Sequence, residues 1–178
     1  MVVLIVLHIP MKKDTFAAIK DNIMTQLELN QKISKSVALF EQGYNCSQAV
    51  FMAYADIYGI DTETAAKLGT SFGGGMGRLR EVCGAVSGMF LVLGMHYPAI
   101  DTKDKTAKTK NYDAVQRTAK EFKAEMGSYI CADLLKTKHQ PENPEPSDRN
   151  AKYYALRPCT RCVAIAAQIV GNEISNIH

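Results

Sequence analysis

Residues 71–94, SFGGGMGRLREVCGAVSGMFLVLG, join a glycine-rich turn, a cysteine and the most apolar segment of the chain in one run. Gly73, Gly74, Gly75 and Gly77 give the backbone access to positive φ, so they predict a turn rather than a helix interior. From Val82 to Met95 there is no charge, and Gly84 and Gly88 recur at helical spacing, on one side of a helix where another backbone can pack closely. The run is therefore expected to be a central buried helix. Cys83 is expected in its first turn, where the helix dipole and the nearby Arg78 and Arg80 favour thiolate over thiol. A membrane span is not expected, because Gly84, Ser87, Gly88, Gly94, His96 and Pro98 interrupt a stretch already short of the roughly 20 apolar residues a spanning helix needs.

Upstream, Phe16, Ile19, Ile23 and Leu27, then Ile33, Val37 and Phe40, recur at helical spacing and predict one long helix or two short ones, stopped by Gly43. Asn45 suits an N-cap, with Cys46 at the first helical position and Ala49, Val50, Ala53, Tyr54 and Ile57 as the buried stripe of the next helix. Gly59 ends that helix, and Asp61, Thr62 and Glu63 open another through Ala65, Ala66 and Leu68. Downstream, Tyr112, Val115, Ala119, Phe122 and Met126 mark a long helix ending at Gly127, and Cys131, Leu134 and Leu135 a short one. Residues 137–158, with three prolines between 141 and 146, predict a loop that could act as a lid. Pro158 then starts the last helix, with Cys159, Cys162, Val163, Ala166, Ile169 and Val170 on its stripe. No alternation of strand type and no repeat occurs. The expected fold class is all-α: a single-domain compact helical bundle around the central buried helix, spanning residues 13–178.

The chain has 178 residues and a net charge of +3, too mild to argue for nucleic acid without a concentrated basic patch. Lys103, Lys105, Lys108 and Lys110 read as a solvated helix face. Residues 1–12 are expected to be an apolar arm or a mis-assigned start at Met11, since MVVLIVLHI lacks the basic flank and cleavage site of a leader. A cytoplasmic protein is expected.

Five cysteines, Cys46, Cys83, Cys131, Cys159 and Cys162, are many for a reduced compartment, and such usage leans toward redox chemistry or metal ligation. A single buried cysteine is as easily an inert core residue. Four near helix starts favour function, because such positions lower thiol pKa. Cys159-Thr160-Arg161-Cys162 is a CxxC at a helix start, in which Cys159 would attack and Cys162 resolve, with Arg157 and Arg161 favouring the anion and Cys46 with Cys83 as the second pair. No βαβ pattern surrounds it, and Val163 follows where haem attachment needs His, so covalent haem is not expected. Alternatively the thiolates ligate a metal centre, Cys46, Cys83 and Cys131 with Cys159 or Cys162 completing four; iron–sulfur or zinc would suit them. His8, His96, His139 and His178 read as structural or exposed. The glycine turn is neither GxGxxG nor a P-loop; its reading as tight packing outweighs a cofactor-binding role for Gly73, Gly74, Gly75 and Gly77.

Gly43-Tyr44-Asn45-Cys46-Ser47-Gln48-Ala49-Val50, Phe72-Gly73-Gly74-Gly75-Met76-Gly77, Cys83-Gly84-Ala85-Val86-Ser87-Gly88, then Cys131 and a C-terminal cysteine, resemble the C-GCAxxG-C-C family of putative redox-active proteins over roughly residues 33–172. The resemblance implies four characteristic cysteines, carried onto Cys46, Cys83, Cys131 and Cys159, with Cys162 additional. It also implies a redox role: thiol/disulfide electron transfer, as in a thiol-dependent oxidoreductase, or a cysteine-ligated centre. The partner would be a redox protein or a small-molecule thiol. A helical domain whose cysteines are only structural is the remaining reading.

Overall fold

A computed structural model describes residues 24–175. The arm at residues 1–12 and the Phe16, Ile19, Ile23 stripe lie outside the described residues, as do His8 and His178. Among the described residues, leaving aside the single turn Gly73–Met76 with its non-helical Gly74 and Gly75, eight α-helices follow in order: α1 Gln26–Glu41, α2 Cys46–Tyr54, α3 Thr62–Gly69, α4 Gly84–His96, α5 Lys105–Met126, α6 Cys131–Leu135, α7 Ala151–Leu156 and α8 Cys159–Ser175. No strand forms among the described residues; Val82 and Ile130 make one isolated antiparallel bridge. The fold is all-α, and among the described residues no helix is long and apolar enough to cross a membrane.

Helix α4 is central, as its uncharged sequence requires: Gly84 through Met89, Val92 and Leu93 are all buried. A helix apolar all round has no solvent face to offer. Helix α2 lies against it and is buried at nearly every position. The small residues explain the closeness, because a Cβ on Gly88 would stand 2.6 Å from the Ser47 carbonyl oxygen, and one on Gly84 2.8 Å from that of Phe72. Helix α8 buries Cys162, Val163, Ala166, Ala167, Ile169 and Val170 on the other side, and Tyr54 of α2 donates from Oη to the Ala167 carbonyl at 2.6 Å. Helix α1 closes the bundle with Leu29 and Phe40. Burying a side chain such as Phe40, Phe51 or Leu93, all essentially inaccessible, contributes about 1.5–3 kcal/mol each relative to exposure.

Three local expectations change. Tyr112 is exposed, and beside the expected Phe122 helix α5 buries Ala114 and Thr118, since the stripe on a long polar helix is set by which turn meets the bundle. The helix read from Cys46 to Ile57 tightens into a 3-10 turn at Ala55–Tyr58, capped by Gly59 in the left-handed region. The segment read as loop from 137 to 158 carries α7, capped by Asn150 accepting from the Tyr153 backbone N–H at 2.9 Å and anchored where Tyr154 meets Phe40 edge to face. Only its proline-rich first part is loop.

The glycine turn is unusual. Gly74, Gly75, Met76, Gly77 and Arg78 all have positive φ, between 60° and 72°, and after Leu79 so does Arg80 at 66°. For Met76, Arg78 and Arg80 a left-handed backbone costs of order 1–3 kcal/mol each. What holds the run lies at its far end: both arginine side chains pair with Glu142, and Arg78 Nε donates to the Asn143 carbonyl.

Candidate functional site

Each cysteine reaches the site through a helix start. Asn45 caps α2 by accepting from the Ser47 and Gln48 backbone N–H groups at 3.0 Å, and Gln48 returns the bond to the Asn45 N–H, completing a capping box. Asn45 also donates to the Thr70 carbonyl, which fixes the chain entering the glycine turn beside Cys46. Cys83 is itself the N-cap residue of α4 rather than part of its first turn. Around the Val82–Ile130 bridge, Cys83 N donates to Tyr129 O at 2.8 Å, Cys131 N to Glu81 O at 2.7 Å and Ala132 N to Arg80 O at 3.0 Å. Three backbone bonds thus lash the starts of α4 and α6 together. Helix α8 supplies Cys159 from its first residue and Cys162 one turn further in.

All five cysteines line one cavity of about 50 Å³, together with Arg80, Arg149, Tyr153, Arg157, Pro158 and several apolar and small residues. That is room for a few water molecules or the sulfur-bearing end of a small molecule. Gly74 and Gly75 also line it, whereas Gly73 and Gly77 do not. The close fit at Gly75 gives a physical reason for glycine, since a Cβ there would meet the Cys131 Cβ at 2.5 Å. No disulfide is present, and Cys159 is the one cysteine that is not buried.

Within the cavity the ionisation of Cys46 is set chiefly by Cys159 and that of Cys83 by Cys162. Sequence neighbourhood pairs Cys159 with Cys162 and Cys46 with Cys83; the folded chain sets each against the other helix. The difference has a simple cause, because residues three apart on a helix stack along its face and carry Cys162 inward to the start of α4.

Electrostatics separate Cys159 from Cys46, Cys83 and Cys131. The neighbouring Cys46 thiol, helped by Arg157, Arg149 and Arg80, brings Cys159 down to about 7 against the opposing effect of burial. Cys46 is driven well up by Cys159 beside it and by burial. Cys83 is likewise raised, first by Cys162 and then by burial; the Ala85 and Val86 backbone N–H groups at the helix start pull the other way and lose. Cys131 is pushed up to about 11 by burial and by Cys83, although Arg80 Nη1 approaches its Sγ at 3.7 Å. The expectation that helix starts make thiolates of Cys46, Cys83 and Cys131 is therefore corrected. At Cys46 and Cys83 a neighbouring thiol and then desolvation outweigh the helix start, and at Cys131 desolvation leads.

Arg149, Tyr153 and Glu142, passed over in the sequence, complete the site beside the expected Arg157. Arg149 lies over the Phe40 and Tyr153 rings, and Arg157 over Tyr153 with its guanidinium carbon 4.6 Å from the ring centre. Arg161, expected to support the Cys159 anion, instead reaches toward the Glu125 carbonyl at 3.5 Å. Glu142 bridges Arg78 and Arg80. Only the Asn150 cap and the tyrosine pair after it could have signalled this corner from sequence.

The histidines stand apart: His96 Nδ1 is 3.3 Å from Tyr58 Oη, and His139 pairs with Asp133 at 2.7 Å. Among the described residues no group of three or more His, Cys, Asp and Glu side chains is gathered closely enough to hold a metal ion. Cys46, Cys83, Cys131 and Cys159 line one cavity but, as they stand, are not gathered as an iron–sulfur or zinc donor set.

Comparison with known proteins gives one family, described as "Putative redox-active protein (C_GCAxxG_C_C)", whose model matches residues 44–173. That span contains all five cysteines and every residue lining the cavity. No curated protein and no solved structure matches the chain.

Proposed function

The chain belongs to the C_GCAxxG_C_C family of putative redox-active proteins, and on that premise we propose that it exchanges electrons as dithiol and disulfide, with Cys159 as the attacking thiolate and Cys46 as the resolving thiol. One observation carries this reading: Cys159, the part-exposed thiol, brought down to about 7, shares one small cavity with the buried Cys46, whose own thiol is driven up by it. A nucleophile near ambient pH with a second sulfur within reach is what thiol–disulfide exchange requires.

In the reaction, Cys159 Sγ attacks one sulfur of a substrate disulfide, the substrate S–S bond breaks, and one thiolate leaves and takes a proton from water. Cys46 then loses its proton to water and attacks Cys159 Sγ, which breaks the mixed disulfide and releases the second thiolate. Two electrons pass to the substrate, and the protein is left with a Cys46–Cys159 disulfide. Run backwards, the same steps reduce the protein from a small thiol or a redox partner protein. Cys83 and Cys162, deeper in the cavity, form a second dithiol that exchange along α8 can reach.

The test is to reduce the protein, expose it to excess small disulfide, and count free thiols with time. Loss of two thiols from a fully reduced chain, abolished by Cys159→Ser, is the expected result. Five thiols remaining titratable after unfolding, whatever the exposure, overturns the proposal.

A further inference from the structure

The dithiol reading leaves the substrate open, and the wall of the cavity narrows it. Three arginines, Arg80, Arg149 and Arg157, line it and no carboxylate does. Among the described residues neither Arg149 nor Arg157 stands in an ion pair. Arg149 gives Nη1 to the Phe40 carbonyl at 2.9 Å and otherwise rests on aromatic rings, as Arg157 does. A guanidinium stacked on a ring keeps its charge and its outward N–H groups.

Arg80 is the deeper of the three. Its side chain is 2 % exposed, and its Nε–H is buried with no hydrogen-bond partner. A buried donor left unpaired is costly, and a bound acceptor would relieve that cost. One acceptor of the right kind is already nearby: the Glu142 carboxylate reaches Arg80 and Arg78 from the proline-rich loop. The chain thereby displays the chemistry this wall accepts, a carboxylate held by the same guanidinium that approaches Cys131.

Resting on the dithiol reading above, we infer that the substrate is a low-molecular-weight disulfide carrying a carboxylate near its sulfur, the anion held by Arg149 and Arg157 at the mouth and by the free face of Arg80. The cavity of about 50 Å³ admits the sulfur and little more, so the carboxylate stays where the arginines are. Exchange is balanced as before: one substrate S–S bond breaks, two carboxylate-bearing thiols leave, and the Cys46–Cys159 bond forms.

The experiment compares three disulfides of similar size: 3,3′-dithiodipropionate, bis(2-hydroxyethyl) disulfide and cystamine. Each is reacted with the reduced full-length protein at low salt, and each rate is divided by that disulfide's rate with an unstructured cysteine peptide. The normalised rates should fall in the order anionic, neutral, cationic, with the first about tenfold above the second. That ratio should shrink as salt rises, and should drop toward one in Arg157→Gln. Equal normalised rates, or cystamine fastest, overturn the substrate inference while leaving the dithiol chemistry standing. Oxidation by none of the three overturns both.

Discussion

Cys46 and Cys159 are the first residues of two helices far apart in the chain, yet both line the same cavity, where Cys46 is held up as the thiol and Cys159 is brought down to about 7. Alkylation of the reduced protein with iodoacetamide should therefore modify Cys159 first, its rate rising with pH around a midpoint near 7. Cys131, pushed up to about 11, should react slowly throughout the neutral range. In Cys46→Ala the midpoint for Cys159 should move upward, because the largest influence holding it down is gone. Site-resolved mass spectrometry against pH checks all three statements.

Mild oxidation should produce Cys46–Cys159 and, with further oxidant, Cys83–Cys162, leaving Cys131 free. Peptide mapping under acidic, alkylating conditions distinguishes these links from a Cys159–Cys162 bridge. If the sulfurs serve packing alone, the double variant Cys46→Ala, Cys83→Ala will change the unfolding midpoint and leave every oxidation product of the remaining thiols as before.

The bundle was legible in the sequence because its signals are local. Gly84 and Gly88 announced the close approach of another helix, and Asn45, Asp61 and Gly127 stand where caps were expected. Convergence of Cys46, Cys83, Cys131 and Cys159 was expected from their placement at helix starts, and Cys162 joins them from one turn into α8. Which sulfur faces which did not, since that depends on the meeting of α2 with α8 and of α4 with α8, contacts between segments far apart in the chain. The ionisation of Cys83 was misjudged for a related reason: the helix start is visible in sequence, but the depth at which it is enclosed is not. Helix α7 was hidden by its neighbours, because Pro141, Pro144 and Pro146 dominate the composition just before the Asn150 cap.

Gly88 and Gly94 lie on the same helix and should respond oppositely to alanine. At Gly88 a methyl group meets the Ser47 carbonyl at 2.6 Å, an overpacked contact against backbone, so Gly88→Ala should lose about 1–3 kcal/mol. At Gly94 nothing lies within 4 Å, and alanine should gain up to about 1 kcal/mol from helix propensity. Denaturant midpoints of the two variants against the parent, under reducing conditions, decide the matter.

The Arg80 and Arg78 guanidinium groups hold the Glu142 carboxyl below the usual glutamate range. Its contribution to anchoring the proline-rich loop is then fully present above the pKa of a free glutamate and is lost only as pH falls through the lower, folded value. Limited proteolysis between residues 137 and 150 should stay slow at neutral pH and accelerate in the acid range. Glu142→Gln should be cleaved faster than the parent already at pH 7, with a pH dependence flatter by that one group. Acid-active protease digestion followed by fragment mapping provides the measurement.

Helix starts that meet across the whole bundle have a thermodynamic consequence. Folding gives the Cys46 and Cys159 sulfurs a high effective concentration for each other, and unfolding disperses it. A disulfide between them would close a loop on the order of 100 residues, which in the chain-entropy description removes about 4.7 kcal/mol of freedom from the unfolded chain. By linkage the fold returns that preference as a lower reduction potential. The same close packing that brings these two sulfurs together thus draws the electrons out of them.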